Sequence, residues 1–246
     1  MVGLHASKLA RALDVPADAC FVKVRSKQPG GAQYGVLEAR QERIEVGEHG
    51  LKFLVNLADR IDTGLFLDHR TTRRTVRDRA RGKRVLNLFG YTGAFSVNAA
   101  AGGASETTTL DLSNTYLDWA RDNMALNGFT GPEHRFVRGD AMSFLERTRP
   151  GAGGDFDLVV VDPPTVSKSK KMRRDFDIQR DHVWLLGRTL DLCTAGAVVY
   201  FSTNYRKFKL RSREIDRAGV DEITADTIPA DFRDSRVHRC WRLVKR

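Results

Sequence analysis

Val85-Leu-Asn-Leu-Phe-Gly-Tyr-Thr-Gly-Ala-Phe-Ser96 is the stretch on which the reading of this chain turns. It begins as a short apolar run, with β-favouring Val85 and Phe89, between polar and basic flanks. It breaks at Gly90-Tyr-Thr-Gly93 and resumes as Ala94-Phe-Ser-Val-Asn-Ala-Ala100, which suits a helix. A buried strand, a tight glycine turn and a helix open a nucleotide-type α/β site. Glycines let the backbone come close to a ligand, and a helix N-terminus offers N–H groups with no partner inside the helix.

Working outward, strands and helices alternate. Strands are expected at 107–111, 134–140, 156–162, 196–202, 220–226 and 238–244. Helices are expected at 114–127, with Tyr116, Leu117, Ala120 and Met124 on one face, at 141–147, and from about 176 to 192. That order implies an α/β fold with a mainly parallel sheet covered on both faces. Upstream, a helix turns at Val15-Pro16, and a strand at 20–26 leads to a glycine-rich loop at 28–32. Two strands then flank Glu48-His-Gly50. Residues 1–60 read as a small N-terminal α+β segment, and residues 61–246 as the main domain.

The 246 residues suit one α/β domain with a small appendage, and the 41% hydrophobic content supports a sizeable core. No apolar run reaches the roughly 18 residues of a membrane span, so no membrane partner is expected. The first residues lack the apolar stretch of a signal peptide. Three scattered cysteines, Cys20, Cys193 and Cys240, give neither a disulfide framework nor a zinc site, and the expected compartment is a reducing cytoplasm. The net charge of +10 favours a polyanionic partner. Arg70, Arg73, Arg74, Arg77 and Arg81 recur at helical spacing on one face. Five like charges on a stripe suit RNA or another anion; a solvated face paired through Asp68 and Asp78 is the plain alternative.

Ligands of open α/β sheets sit past the carboxyl ends of the strands. Here those ends carry Gly90-Tyr-Thr-Gly93, Asp111, Asp140 and Asp162-Pro-Pro-Thr165. An acid 18 positions after Gly93 (111 minus 93) can accept hydrogen bonds from both hydroxyls of a ribose, and Asp140 with Ala141 can read an adenine edge. The turn is not the Gly-x-Gly-x-x-Gly of a dinucleotide site, and no P-loop motif is present. S-adenosylmethionine, which has no phosphate, fits better. Pro163 and Pro164 fix φ and remove two donors, so the corner is a rigid wall of acceptors that can hold a flat base.

At this point the chain resembles the RlmK-type domain of class I S-adenosylmethionine-dependent ribosomal RNA methyltransferases, from about residue 20 to the end. The likeness rests on Thr63-Gly-Leu-Phe-Leu-Asp-His-Arg70, Asn87-Leu-Phe-Gly-Tyr-Thr-Gly93, Thr107-Thr-Thr-Leu-Asp111, Asp162-Pro-Pro-Thr165, Gln179-Arg-Asp-His182 and Phe201-Ser-Thr-Asn204. It implies a Rossmann-like, mainly parallel seven-stranded sheet with an antiparallel last strand. It also implies methylation of guanine N7 in large-subunit (23S) ribosomal RNA. Asp68 and Arg70 would border the methionine end of the cofactor. Asn87, Phe89, Tyr91, Thr92 and Gly93 would line it. Asp111, Leu112 and Ser113 would hold the ribose, and Asp140 with Ala141 the adenine. Asp162, Pro163, Pro164 and Thr165 would face the target base, with Asp162 also touching the cofactor. Val166 departs from the aromatic usual at that place, and the fused partner enzyme of some family members has no counterpart in this sequence. A separate RNA-binding or methyltransferase partner is therefore expected.

The residues favour nitrogen over carbon as the methyl acceptor. Methylating cytosine C5 needs a thiolate that first adds to the ring, and the places after the fourth and fifth strands hold Thr165 and Ser202-Thr-Asn204. Cys193 is expected in the helix before the fifth strand, and Cys240 away from both loops. Guanine N7 has an exposed lone pair and loses no proton. His69 and His182 are expected to be helix caps or core partners. Lys168, Lys170, Lys171, Arg173 and Arg174 follow one loop, and Arg206, Lys207, Lys209, Arg211 and Arg213 the other. With Arg73, Arg74 and Arg77 they are the expected phosphate contacts. No metal is expected. Methylation at another RNA position, cytosine C5 included, and non-catalytic RNA binding on the same fold are the alternatives.

Overall fold

The computed structural model describes residues 2–16, 19–21, 43–58, 62–151, 154–168 and 174–246. Its residues group into two compact units, Met1–Glu45 with Leu54–Gly64, and Val46–Phe53 with Leu65–Arg246. In the smaller unit α1 (Val2–Ala12) ends in a turn before Pro16, and the Asn56 N–H donates to Thr63 O at 2.8 Å. Most of the expected strand at 20–26 and the whole glycine-rich loop at 28–32 lie outside the described residues. A hairpin of β1 (Ile44–Glu48) and β2 (Leu51–Val55) turns at His49-Gly50, both at positive φ.

The larger unit is built on a seven-stranded sheet. Its strands are β3 (Arg84–Leu88), β4 (Glu106–Asp111), β5 (His134–Arg138), β6 (Phe156–Val161), β9 (Cys193–Thr203), β10 (Ala218–Glu222) and β11 (Arg239–Lys245). Their order is β10-β11-β9-β6-β3-β4-β5. The run from β9 to β5 is parallel, while β11 is antiparallel to β9 and to β10. This is the mainly parallel seven-stranded sheet with an antiparallel last strand that the resemblance implies. From β3 the chain moves outward through β4 and β5, then returns to β6 on the other side of β3. The strand order therefore reverses between β3 and β6, where such sheets bind ligands.

Alternation along the central strands feeds two cores. Leu86, Leu88, Val159 and Val161 meet α5 (Ala141–Arg147) and α6 (Ile178–Asp191) on one face. Val85, Leu158 and Val160 meet α2 (Arg70–Arg79) and α3 (Ala94–Ala101) on the other. Burial on both faces is why β3 and β6 read as continuous apolar runs. α4 (Asn114–Leu126) flanks β4, capped by the Ser113 hydroxyl, which accepts from the Tyr116 N–H at 3.4 Å.

Several local expectations are corrected. The helix expected from about 176 starts at Ile178, because residues Phe176–Asp177 form β8 against β7 (Val166–Ser167), just past the double proline. The fifth strand starts at Cys193, not Gly196, so Cys193 is a strand residue. The strand expected at 220–226 ends at Glu222, and a short α7 (Thr224–Thr227) follows. No helix among the described residues is long and apolar enough to cross a membrane.

Candidate active site

Register places the expected strand-end residues together. Leu88 pairs with Leu110 on one side and Val161 on the other, and Val161 pairs with Phe201. The next residues, Phe89, Asp111, Asp162 and Ser202, therefore leave the sheet at one level. Asp111 pairs with Arg138, which brings the Asp140 segment to the same edge.

The turn after β3 is strained. Phe89 and Tyr91 have φ of 58° and 48°, and Gly93 has 74°. Left-handed backbone costs a non-glycine residue roughly 1–2 kcal/mol, and hydrogen bonds hold this turn in place. Gly90 N–H donates to Leu110 O at 2.8 Å, Gly93 N–H to Gly90 O at 2.8 Å, and Tyr91 N–H to Asp111 Oδ2 at 2.9 Å. A Cβ on Gly90 would lie 2.5 Å from Thr109 Cγ2, and one on Gly93 2.7 Å from Ala120 Cβ. The glycines thus let the turn press on β4 and α4. Beneath it Asn87 Nδ2 donates to Ser96 Oγ at 3.1 Å, and Ser96 Oγ meets Thr109 Oγ1 at 2.6 Å, tying β3, α3 and β4. Tyr91 packs among Phe66, Tyr116 and Trp119, and Thr92 is buried with its carbonyl accepting from Asn123 Nδ2.

Asp111 also accepts the Ser113 N–H at 2.8 Å on Oδ1, so each carboxylate oxygen accepts at least one backbone N–H. Burial raises its pKa against the lowering effect of those donors. Each oxygen keeps acceptor capacity beyond one bond, which suits two vicinal hydroxyls. Asp140 caps α5, accepting from the Ser143 N–H and hydroxyl on Oδ2 at 3.0 and 2.9 Å. The strained turn, the acid with two oriented oxygens and the second acid on one rim fit an adenosine-bearing cofactor.

On the other side of the reversal point, Asp162 Oδ1 accepts the Ser202 hydroxyl at 2.6 Å, and His69 Nε2 lies 3.5 Å from Oδ2. Thr165 Oγ1 donates to Asn204 Oδ1 at 2.9 Å. Val166 is exposed. Ser202, Asn204 and His238 are functional candidates that strand-by-strand reading passed over. Ser202 lies near the end of β9 beside Asp162, Asn204 just follows that strand, and His238 precedes β11, the antiparallel strand of the seven-stranded sheet, whose N-terminal end reaches this rim.

The basic residues divide. Arg73 is corrected: it is 1% exposed, and its guanidinium grips Glu48 through Nε at 2.7 Å and Nη2 at 2.6 Å, so it is closed to phosphate. α2 turns Thr72, Arg73 and Val76 inward, so the expected stripe is split. Arg70 pairs with Asp231, Arg206 with Asp234, and Arg77 Nη1 donates to His49 O at 3.0 Å. Lys168 lies 3.6 Å from Asp175. Arg74 and Lys207 are exposed. Lys170, Lys171 and Arg173 lie outside the described residues.

Two cysteines are corrected in place but not in character. Cys193 opens β9, level with the start of β6, and burial pushes its thiol up to about 12. Cys240 pairs with Ser202 in the sheet and so is close to the site, not away from it. It is fully buried, and its thiol is pushed up. His182 is buried on α6, where Nδ1 faces the Ile178 carbonyl at 3.0 Å and Nε2 accepts from the Arg211 N–H at 3.1 Å.

Comparison with known proteins agrees with this geometry. The chain is 47% identical over 230 residues to the ribosomal RNA large subunit methyltransferase K/L of Vibrio parahaemolyticus, covering 92% of this chain and 32% of that protein. It is 48% identical over 239 residues to the enzyme of the same name from Stutzerimonas stutzeri, covering 97% and 32%. The chain thus spans about a third of the length of these relatives. Among solved structures, a chain in complex with SAH superposes with a TM-score of 0.70 at 25% identity, covering 84% of this chain and 57% of that one. A SAM-dependent methyltransferase from Agrobacterium tumefaciens gives 0.68 at 22% identity, covering 85% and 72%. The S-adenosylmethionine-dependent methyltransferase family model matches residues 19–207, most of the chain, and the chain belongs to that family.

Proposed function

We propose that this chain methylates guanine N7 in large-subunit ribosomal RNA, in the cytoplasm. The observation that carries the reading is the Asp162-Pro-Pro-Thr165 corner beside the strained turn of β3, where the cysteines of the same unit, Cys193 and Cys240, are buried. Carbon methylation through C5 requires a thiolate, and Cys193 and Cys240 are buried with raised pKa. When bound, S-adenosylmethionine supplies a sulfonium methyl that the N7 lone pair takes without releasing a proton. The chain then needs alignment and charge, not a base.

Asp111, with Leu112 and Ser113, holds the ribose. Asp140 and Ala141 receive the adenine, and Asn87, Phe89, Tyr91, Thr92 and Gly93 shape the turn. Asp68 borders the methionine end. Pro163 and Pro164 present a rigid face to the base, and Thr165 is fixed by Asn204. N7 attack leaves the purine cationic, and the Asp162 carboxylate opposes that charge in a partly desolvated setting. Arg74, Lys168 and Lys207 are the exposed or half-exposed cations assigned to phosphate. A-form RNA hides the guanine N7 edge in its deep groove, so the base must be unpaired or flipped.

The names of the relatives support ribosomal RNA as the substrate. The small segment at 1–60 is assigned as an adjunct of the main domain at 61–246. The test is a methyl-transfer reaction on large-subunit RNA, free and in ribosomal precursors, followed by nucleoside mass spectrometry. 7-Methylguanosine is expected, and 5-methylcytosine would overturn the thiol argument.

A further inference from the structure

Beside Asp162 lies a pair of stacked histidines held on Asp68, the carboxylate assigned above to the methionine end. His238 is held at both ring nitrogens: Nδ1 donates to Asp68 Oδ2 at 2.9 Å, and Nε2 meets Thr227 Oγ1 at 3.0 Å. The His69 ring stacks on it, with centroids 4.4 Å apart and planes 11° from parallel, and Phe95 meets the His69 ring edge-on at 5.8 Å. Both histidines are at least 95% buried. Among the described residues His69 Nδ1 has no hydrogen-bond partner. Its Nε2 points between two carboxylates, 3.5 Å from Asp162 Oδ2 and 3.8 Å from Asp68 Oδ2.

We infer that His69 is the positioning residue for the Asp162 carboxylate, with His238 as the plate that fixes its ring. The tautomer follows from satisfaction of partners. A proton on Nδ1 would be a buried donor without an acceptor, whereas a proton on Nε2 faces two acceptors. Burial, the largest influence, holds the His69 pKa below its ordinary value, so the ring is a neutral donor at neutral pH. The two Asp162 oxygens are then addressed separately, Oδ1 by Ser202 and Oδ2 by His69. A separation of 3.5 Å is longer than a formed hydrogen bond; bonds of this kind often tighten only when substrate is in place. The chain Thr227–His238–His69–Asp162 thereby links α7 to the carboxylate facing the base.

Asp68, His69 and His238 each offer one ligand atom, all within 4.8 Å, so a divalent cation is the competing use. Ring nitrogens bind metals along lone pairs in the ring plane. Two near-parallel stacked rings do not converge on one ion, and Asp68 Oδ2 already accepts from His238. The hydrogen-bonded stack is therefore the better account.

The inference rests on the reading that Asp162 faces the base, and the test separates the two. The full chain is assayed for methyl transfer to RNA as wild type, His69→Leu, His69→Gln and His69→Met, with SAH affinity by calorimetry and melting temperature recorded. His69→Leu and His69→Met should lower kcat about 10- to 100-fold, the worth of one hydrogen bond to a charged group. SAH affinity and the KM for RNA should stay within about twofold. His69→Gln, whose amide N–H reaches nearly as far as Nε2, should recover most of the loss. If His69→Leu fails to fold, the contrast between Gln and Met carries the test, since only Gln donates. Equal kcat for Gln and Met, or a loss shared by SAH binding, overturns the inference while leaving the site intact. Turnover abolished by EDTA and restored by zinc overturns it in favour of a cation. If wild type transfers no methyl group to any RNA, the reading of Asp162 and the inference fall together.

Discussion

Arg73 offers the sharpest test of how the basic residues divide between structure and binding. Its guanidinium donates through Nε and Nη2 to the two Glu48 oxygens at 2.7 and 2.6 Å, and through Nη1 to the Phe66 carbonyl at 2.9 Å. The side chains are 2% and 7% exposed. Removing one partner strands the other charge in a dry site, at a cost of about 3–5 kcal/mol. For a domain of this size each kcal/mol is worth roughly 2–4 °C, so Arg73→Ala should lower Tm by about 6–20 °C. Arg73→Met with Glu48→Leu should recover most of that loss, because no charge is left unpaired. Arg74→Ala is the contrast: its side chain is exposed, so Tm should hardly move, while the salt slope of RNA affinity falls by about 1. The assays are thermal denaturation and filter binding across a salt series. An Arg73→Ala protein that melts with wild type but binds RNA with a reduced salt slope would refute the assignment.

Asp111→Asn replaces a two-sided acceptor with a group that turns an NH2 toward either the Tyr91 or the Ser113 N–H. SAH affinity should fall about 10- to 100-fold by calorimetry, and unchanged affinity would contradict the ribose assignment. Alkylation of the native protein at pH 8, followed by peptide mapping, should mark Cys20 and spare Cys193 and Cys240, which are buried with raised pKa; a label on either would be contrary. Burial lowers the pKa of His69, His134 and His182, so in each case the unfolded chain takes the proton first as pH falls. Their stability is present above the unfolded pKa near 6.5 and lost below it, by at most about 1.4 kcal/mol per pH unit for each ring. Asp111, raised by burial, pulls the other way at the acid end. Urea midpoints should be lower at pH 5.5 than at pH 7.5, and a flat or rising midpoint would contradict this.

The sheet was legible because β3 and β6 are buried on both faces and therefore read as unbroken apolar runs. The strand-end rule then located Gly93, Asp111 and Asp162 on one rim without any side-chain geometry. The strain at Phe89 and Tyr91 was not legible, because the turn is held by hydrogen bonds to Leu110 and Asp111, residues of another strand. Arg73 misled for a related reason. Helical spacing says which residues share a stripe, but only the hairpin carrying Glu48 decides whether that stripe faces water. Cys240 and His238 were hidden by topology, since their place follows from β11 running against its neighbours and starting at the rim where they end. The β7–β8 ribbon, two residues a side, is too short to leave a periodic signal.

A crystal structure of the full chain with S-adenosylhomocysteine tests the account most directly. The ribose hydroxyls should meet Asp111, the adenine should lie near Asp140, and the sulfur should open toward Asp162-Pro-Pro-Thr165. A ligand seated away from the rim between β3 and β6, or one whose sulfur faces away from Asp162, would contradict it.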